Sequence, residues 1–233
     1  MLHKNFYKSS LTILAMVSAM TLSSVTQAAA IPLVNPGFDA QDASGGDIFG
    51  STGWNTFGSG FTTSNLGPGS SPVPDSPNNT FKAFGAGAGA TQSFAATAGD
   101  IFNMSGLGMN FGSDPLANPG ELLLQIVFRD ANGVFAGTEA GGNFALGFNV
   151  FNSNVVDSSN PIDIWNVLGV GTGAAPDNTA SVDFNVLVLA PAGGSGYFDS
   201  ISAEQVVIPV PAAVWLFGSG LLGLVGVARR RKS

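Results

Sequence analysis

The segment ASVDFNVLVLAPAGGSGYFDSI, residues Ala180–Ile201, contains the clearest strand–turn–strand pattern of the chain and indicates its fold class. Its first half alternates between apolar side chains and a second set that includes Asp183 and Asn185. Because successive side chains of a β-strand point to opposite faces, Ala180–Leu189 is predicted to be a strand. One face of that strand carries four apolar residues, Val182, Phe184, Val186 and Val188.

The neighbouring segments extend this β pattern in both directions. The segment Pro191–Gly196 is rich in turn-forming residues, and Tyr197–Val206 is predicted to run back as the final strand. Upstream, Leu122–Phe128 is almost continuously apolar, which predicts a strand with little water on either face. The dipeptide Asn132-Gly133 that follows it favours a tight hairpin turn.

Shorter β-type runs separated by Gly, Pro, Asn and Asp fill the rest of the body. The predicted strands there are Ile31–Phe38, Gly53–Phe61, Thr80–Phe84, Gly89–Phe94 and Asp100–Leu107. The stretches Thr62–Asn79 and much of Ala136–Asn160 are predicted to be exposed loops. No window sustains a helical period, so residues 31–206 are predicted to form a single all-β domain, a sandwich or barrel.

The N-terminus has the pattern of a secretory signal peptide over residues 1–30. Lys4 and Lys8 precede the apolar run Leu11–Leu22, and Ala28–Ala30 supplies small residues for cleavage before Ile31. The alternative is an N-terminal membrane anchor that is never cut.

The C-terminus, residues 207–233, predicts a membrane-spanning helix over residues 212–228. These 17 uncharged residues would span roughly 25 Å as a helix, near the lower limit for a hydrocarbon core. The basic tail, residues 229–232, is expected to stay in the cytoplasm, which leaves the body outside the inner membrane.

The charge of the body excludes several partners. Only Lys82 and Arg129 lie between Ile31 and Ile208, against all 15 Asp and Glu, a net charge of −13. Without a basic patch, nucleic acid and anionic lipid surfaces are not expected as partners. The chain contains no cysteine, so disulfides and thiolate metal sites are excluded.

The residue types that are missing also limit catalysis. His3 is the only histidine and belongs to the predicted signal peptide, which excludes triad chemistry and His-ligated zinc in the body. Paired carboxylates are the remaining catalytic option, but no spacing selects a pair, and we predict that the protein is not an enzyme. The candidates for such a pair are Asp130, Glu139, Asp157, Asp163 and Glu204.

The body resembles the jelly rolls of carbohydrate-binding modules of the galactose-binding type. The similarity lies in the opening Leu33-Val34-Asn35-Pro36-Gly37-Phe38-Asp39 with Gly53-Trp54, and in the closing Ala174-Ala175-Pro176-Asp177-Asn178-Thr179-Ala180 with Gly196-Tyr197-Phe198-Asp199-Ser200-Ile201. Many modules of this kind hold a structural calcium ion between the first and last strands. The resemblance therefore implies Ca²⁺ at Asp39 and Asp199; the alternative is that Asp39 caps a turn and Asp199 bonds to a neighbouring loop.

The tail resembles the PEP-CTERM sorting signals in their V-P-x-P-A variant. The residues are Pro209, Val210, Pro211 and Ala212, followed by Ala213-Val214-Trp215-Leu216-Phe217-Gly218-Ser219-Gly220 and the terminal arginines. In that family an exosortase-type membrane protease is thought to recognise the Pro motif and cut the tail. Two prolines keep the backbone extended and poor in donors, which suits a protease substrate. A permanent C-terminal anchor is the alternative.

Sugar binding requires exposed aromatic rings beside polar groups. Trp54, Trp165, Phe57 and Phe61 are the candidate platforms, although both tryptophans have core-like surroundings in the sequence.

Together these features predict an exported, non-enzymatic jelly-roll β-sandwich of the cell surface or matrix. Its predicted role is structural or adhesive within exopolysaccharide or biofilm. Two alternatives remain, a calcium-dependent carbohydrate-binding module with one glycan ligand and a hydrolase of matrix sugars. Its expected partners are an exosortase-type protease, exopolysaccharide and, transiently through the tail, the inner membrane.

Overall fold

A computed structural model describes residues 27–41, 47–64, 79–136, 149–207 and 217. Within those ranges the regular secondary structure is β, apart from one helical position at Phe217. Its strands are β1 (Gln27–Ala30), β2 (Ile48–Phe49), β3 (Asn55–Ser64), β4 (Asn79–Ala95), β5 (Ile101–Asn110), β6 (Glu121–Arg129), β7 (Val150–Asn152), β8 (Val156–Asp157), β9 (Asn166–Gly171), β10 (Ser181–Leu189) and β11 (Ser195–Val207).

Two layers share the long strands β3 and β4. The first half of β4 pairs with β11, which continues to β5 and β9, whereas its second half pairs with β10, which continues to β6 and β7. The register between β3 and β4 shifts between Phe57 and Ser59, where Gly58 has φ +63°. This bulge lets both strands bend from one layer into the other.

The inward faces of the two layers form one aromatic and aliphatic core. Val182, Phe184, Val186 and Val188 are all fully buried, as their alternation predicted. The ring of Phe102 on β5 meets that of Phe184 on β10 at a centroid distance of 5.8 Å. The prediction of an all-β sandwich is thereby confirmed.

The continuous apolar run on β6 is buried on both sides, as predicted. Leu122 and Leu124 face the core at 0% exposure, and Leu123 on the opposite face is only 2% exposed. The adjoining strand β10 is likewise covered on its polar face, where Asp183 is 5% and Asn185 8% exposed. The first layer therefore has little solvent contact at its centre on either face.

Four predicted boundaries were wrong. The predicted exposed loop Thr62–Asn79 overlaps strand at both ends, because β3 continues to Ser64 and β4 begins at Asn79, and Thr62 and Thr63 are buried. Residues 31–38 form turns instead of a strand, because Pro32 and Pro36 remove donors and Asn35 adopts φ +52°. The two predicted strands within residues 80–94 are one strand, β4, since the intervening glycines bend it without ending it. The short strands β7 and β8 lie in the predicted loop after residue 136, paired to the edge of β6; residues 137–148 lie outside the described ranges.

The turn at Asn132-Gly133 is present with three loop residues. The amide of Asp130 donates to the carbonyl oxygen of Val134 at 2.8 Å, and Gly133 supplies the positive φ of +74°. The returning chain makes one bridge, between Arg129 and Phe135, so the hairpin is short over the residues described there.

Most of both predicted terminal signals lies outside the described residues, including Pro209, Val210, Pro211 and Ala212. The described chain begins with β1, which contains the predicted cleavage residues Ala28–Ala30 and pairs with β11. No helix within the described ranges is long and apolar enough to cross a membrane.

Candidate functional site

A row of polar side chains crosses the outward face of the first layer. The strand registers align Asn152 with Gln125, Gln125 with Asn185, Asn185 with Thr91 and Thr91 with Asn55. Paired residues in a sheet point to the same face, so one residue each from β7, β6, β10, β4 and β3 lies in this line. We call these five residues the amide row.

Hydrogen bonding within the amide row is confined to its outer end, and exposure falls from Asn55 and Asn152 at the two ends to Asn185 at the centre. Gln125 Nε2 donates to Asn152 Oδ1 at 2.9 Å, which fixes the outer end. Asn185 is 8% exposed as a residue, and its side-chain amide makes no hydrogen bond among the described residues. Beside it, Thr91 Oγ1 is buried and likewise has no partner in those ranges. Because the amide atoms of Asn185 keep some contact with solvent, a ligand hydroxyl or a water can supply the hydrogen bonds that the described protein groups do not.

The row next to the amide row on one side contains a charged residue, Asp183. Asp183 accepts a short hydrogen bond from Arg129 Nε and another from Ser93 Oγ at 2.6 Å. Arg129 also lies over the ring of Phe135, 5.0 Å from its centroid. These contacts neutralise the carboxylate and leave the neighbouring amide row uncharged.

The row on the other side is apolar and ends at Phe57. Leu123, Leu187 and Gly89 align in register with Phe57, whose ring is 38% exposed. An aromatic ring next to planar amides is the combination that binds sugars, whose C–H faces stack on rings and whose hydroxyls pair with amides.

The second predicted phenylalanine, Phe61, lies on the outward face of the other layer. Its ring stacks on Phe84 at a centroid distance of 5.6 Å with an interplanar angle of 2°, and Phe49 meets it edge-on. Phe49 is 65% exposed, so this face presents an aromatic surface. Phe57 and Phe61 therefore lie on the outward faces of different layers, although both belong to β3.

The two predicted tryptophans lie in packed surroundings. Trp54 is 6% exposed, packs on Phe38 at 5.2 Å and donates its indole N–H to the carbonyl oxygen of Asn35. Trp165 is half-buried against a cluster that contains Tyr197. The ring of Trp54 is thus not accessible as a sugar platform.

The predicted calcium residues lie in segments that are joined by a backbone hydrogen bond. The amide of Ile201 donates to the carbonyl oxygen of Pro36 at 2.9 Å, which links the segment around Asp199 to the turn before Asp39. Asp199 is fully buried and accepts from the Ser200 amide, whereas Asp39 Oδ1 accepts from the Asn79 amide at 2.9 Å. No cluster of three or more His, Cys, Asp or Glu occurs in the part of the chain that the structure describes.

Two of the candidate catalytic carboxylates have lowered pKa values. Hydrogen bonds from the Ser159 hydroxyl and amide lower the pKa of Asp157, and the amides of Val134 and Asn132 lower that of Asp130. A general acid near neutral pH needs the opposite shift.

Comparisons with known proteins establish the fold alone. No protein-family model and no curated protein matches the chain. A cyclase from Fischerella sp. TAU is similar in structure, with TM-score 0.54 and 14% identity over 77% of this chain and 98% of that chain. A Stig cyclase, Fisc, from the same source, in complex with (3Z)-3-(1-methyl-2-pyrrolidinylidene)-3H-indole, gives 0.53 at 14% identity over 77% and 98%. TmCBM61 in complex with β-1,4-galactotriose gives 0.44 at 14% identity over 73% and 95%.

Because enzymes occur among these similar folds, the absence of activity stays a prediction.

Sequence reasoning found Phe57 but missed the amide row. Asn185 lies in the strand with the clearest alternation, on the face opposite the apolar one. The other members of its row belong to other strands, and the most distant, Asn55, is 130 positions away in the chain. Such a row becomes visible only once the registers are known.

Proposed function

We propose that this chain is an exported surface or matrix protein whose β-sandwich binds polysaccharide along the amide row. The observation that supports this most directly is that Asn185, 8% exposed as a residue, has a side-chain amide without a hydrogen-bond partner among the described residues. Sugar hydroxyls are both donors and acceptors, so they match an amide that needs both.

The shape and charge of the row favour a neutral, extended polymer. Five strands at a spacing of about 4.8 Å make a line of about 19 Å, which suits a stretch of polysaccharide better than one sugar unit. The row contains only amides and a hydroxyl, and the net charge of −13 between Ile31 and Ile208 opposes polyanions. Phe57 at the border of the row adds a stacking surface.

A calcium ion at Asp39 and Asp199 is part of the same proposal. Carboxylates together with carbonyl oxygens are the ligands that Ca²⁺ prefers, and the Pro36–Ile201 hydrogen bond joins the two segments that supply them. Calcium would tie the first turn of the body to its last strand and so support the sandwich that presents the amide row.

The terminal segments add export and sorting to the proposal. Removal of residues 1–30 and cleavage at Pro209–Ala212 by an exosortase-type protease would release the body at the surface or into the matrix. Mass spectrometry of the mature protein from its native host tests this directly. Termini at Ile31 and near the Pro motif are expected, and a full-length mass with residues 213–233 retained would contradict the sorting step.

Binding by the amide row is tested with the full-length chain, purified in mild detergent and mixed with insoluble polysaccharides, neutral and anionic. Neutral polymers are expected to retain the wild type. The substitutions Asn185→Ala and Gln125→Ala are each expected to weaken retention about tenfold, since each removes hydrogen bonds to sugar hydroxyls. Phe57→Ala is expected to weaken it by a similar factor.

The matched control is Asn166→Ala on the other layer, where the side-chain amide bonds to the nearby Ile164 carbonyl. It is expected to bind like wild type. Weak retention on many polymers would identify a structural matrix component, and saturable retention on one would identify a module with a specific glycan. Equal binding by Asn185→Ala and wild type would overturn the proposed site.

A further inference from the structure

A depression of about 530 Å³ opens where β10 leaves β4 and β11 takes its place. Strand β10 pairs with β4 as far as Val188 opposite Ala88, and β11 begins to pair at Ser195 opposite Phe84. The two strands part here because they enter different layers. We call this depression the splay pocket; the turn at residues 190–194 forms one wall, held by a 2.7 Å hydrogen bond from Ala190 to the Gly85 carbonyl.

The polar groups of the splay pocket are a lysine, a carboxylate and a hydroxyl. The Ser195 hydroxyl, 1% exposed, donates to Asp114 Oδ2 at 2.5 Å, which orients the carboxylate. Lys82 Nζ lies 3.4 Å from Asp47 Oδ2. Apart from Lys82, only Arg129 is basic between Ile31 and Ile208, and Arg129 is engaged by Asp183. A cation is therefore placed at this pocket, with Asp47 as its ion-pair partner.

An aromatic ring completes the lining. Phe84 is 38% exposed, its orientation is set by stacking on Phe61, and Lys82 Nζ lies 5.9 Å from its centroid. The pocket thus combines an exposed ring with an oriented carboxylate and an ammonium group. These are the elements needed to hold a pyranose, by ring stacking on one face and by charge-assisted hydrogen bonds at its hydroxyls.

We propose that the splay pocket is a second ligand site, which binds a single neutral sugar unit at Phe84, Lys82 and Asp114. The depression is bounded by the turn at residues 190–194, which favours the end of a sugar chain over an extended stretch, in contrast to the line of amides on the other layer. Asp47 pairs with the one ammonium group and Asp114 lines the same depression, so a ligand with its own negative charge is disfavoured.

The position of the pocket allows one molecule to bind two ligands, a step that rests on the proposed function of the amide row. The pocket and the amide row lie on outward faces of different layers, so both can be occupied at once. One molecule would then join a chain held by the amide row to a sugar end held by the pocket, and avidity within a matrix would follow.

The pocket is tested by isothermal titration of the full-length chain with methyl glycosides of glucose, galactose and mannose, with glucuronate and glucosamine as charged probes. Saturable binding of at least one neutral glycoside is expected. Phe84→Ala and Asp114→Asn are each expected to weaken it about tenfold. Lys82→Met serves as a third variant because it keeps the apolar stem and removes only the charge.

Two controls separate binding in the pocket from binding at the neighbouring aromatic surface or at the amide row. Phe49→Ala removes a more exposed ring of the same aromatic surface that does not line the pocket, and Asn185→Ala disables the amide row. Both are expected to bind the glycoside like wild type. Binding of none of the neutral glycosides, preference for a charged probe, or equal affinity of folded Phe84→Ala and wild type would each overturn the pocket. Asn185→Ala is expected to lose polymer retention and to keep glycoside binding, a result that would show the two sites to be separate.

Discussion

At the scale of single residues, buried polar groups control the response of the fold to pH. Tyr197 is 2% exposed, and its burial raises the pKa of its hydroxyl, with a further contribution from the charges of Asp114 and Asp47. Because folding raises the pKa of this acid, there is a pH range in which it is ionised in the unfolded state and still neutral in the folded state. Its contribution to stability is therefore complete below the ordinary pKa of 10.0 and is lost as the pH rises above it.

The first prediction concerns this alkaline range. The free energy of unfolding is expected to fall between pH 10 and 12 in the wild type, measured by urea denaturation. Tyr197→Phe removes the ionising group and is expected to flatten that fall. A similar slope in both proteins would contradict the role of Tyr197.

The second prediction concerns the ion pair between Asp183 and Arg129 on the outward face of the first layer. Asp183→Asn leaves Arg129 without its charged partner and is expected to cost about 2 kcal/mol, less than a fully buried pair because Arg129 is one-third exposed. The double variant Asp183→Asn with Arg129→Gln is expected to recover part of that loss. Urea denaturation of the two single variants and the double variant measures the coupling, and purely additive losses would contradict it.

At the scale of elements, glycines shape the turn between β10 and β11. Gly193 and Gly194 both have positive φ, +111° and +88°. A Cβ at Gly194 would lie 2.1 Å from the carbonyl oxygen of Pro115, whereas a Cβ at Gly193 would meet nothing within 4 Å. Gly194 is therefore constrained by the backbone packed against it, and Gly193 by its conformation alone.

The third prediction follows from that contrast. Gly193→Ala is expected to cost about 1 kcal/mol for the left-handed conformation, and Gly194→Ala clearly more, since Pro115 must also move. Thermal denaturation of both variants gives the comparison. Because the turn forms a wall of the splay pocket, Gly194→Ala is also expected to weaken glycoside binding. Equal destabilisation by the two substitutions would show that the close contact with Pro115 is relieved easily.

At the scale of the whole molecule, the body is a disulfide-free and strongly acidic sandwich. It relies on its core of aromatic and branched side chains, and its net charge of −13 between Ile31 and Ile208 adds self-repulsion. A divalent cation bound at acidic groups would relieve part of that repulsion. The proposed calcium ion thus bears on the stability of the whole body.

The fourth prediction tests this link. Calcium at a hundred times its dissociation constant is expected to raise the free energy of unfolding by about 2.7 kcal/mol over an EDTA-treated sample. Asp39→Asn keeps an acceptor for the Asn79 amide while it removes a charge, and it is expected to abolish most of the calcium effect. Asp177→Asn, which alters an exposed carboxylate in another turn, is the control. An identical melting temperature with calcium and with EDTA would exclude the ion.

The β class, the faces of the main strands and the buried character of β6 could all be predicted from the sequence. Those features follow from a local period of two and from apolar runs, which need no knowledge of distant residues. The sequence also yielded Phe57 and Phe61 as candidate rings, but not that they serve different faces. The burial of Trp54 was open because its partner Phe38 lies in a segment of turns that the sequence predicted as strand.

Which side chains share a site depends on the tertiary structure. Asn55, Thr91, Gln125, Asn152 and Asn185 form one row only through registers between strands distant in the chain, and a shift of one residue would turn each to the opposite face. The splay pocket depends likewise on where β10 and β11 part. Pattern within a strand is local information, whereas the adjacency of strands is set by the packing of the whole core, and that is why the sites emerged only from the folded molecule.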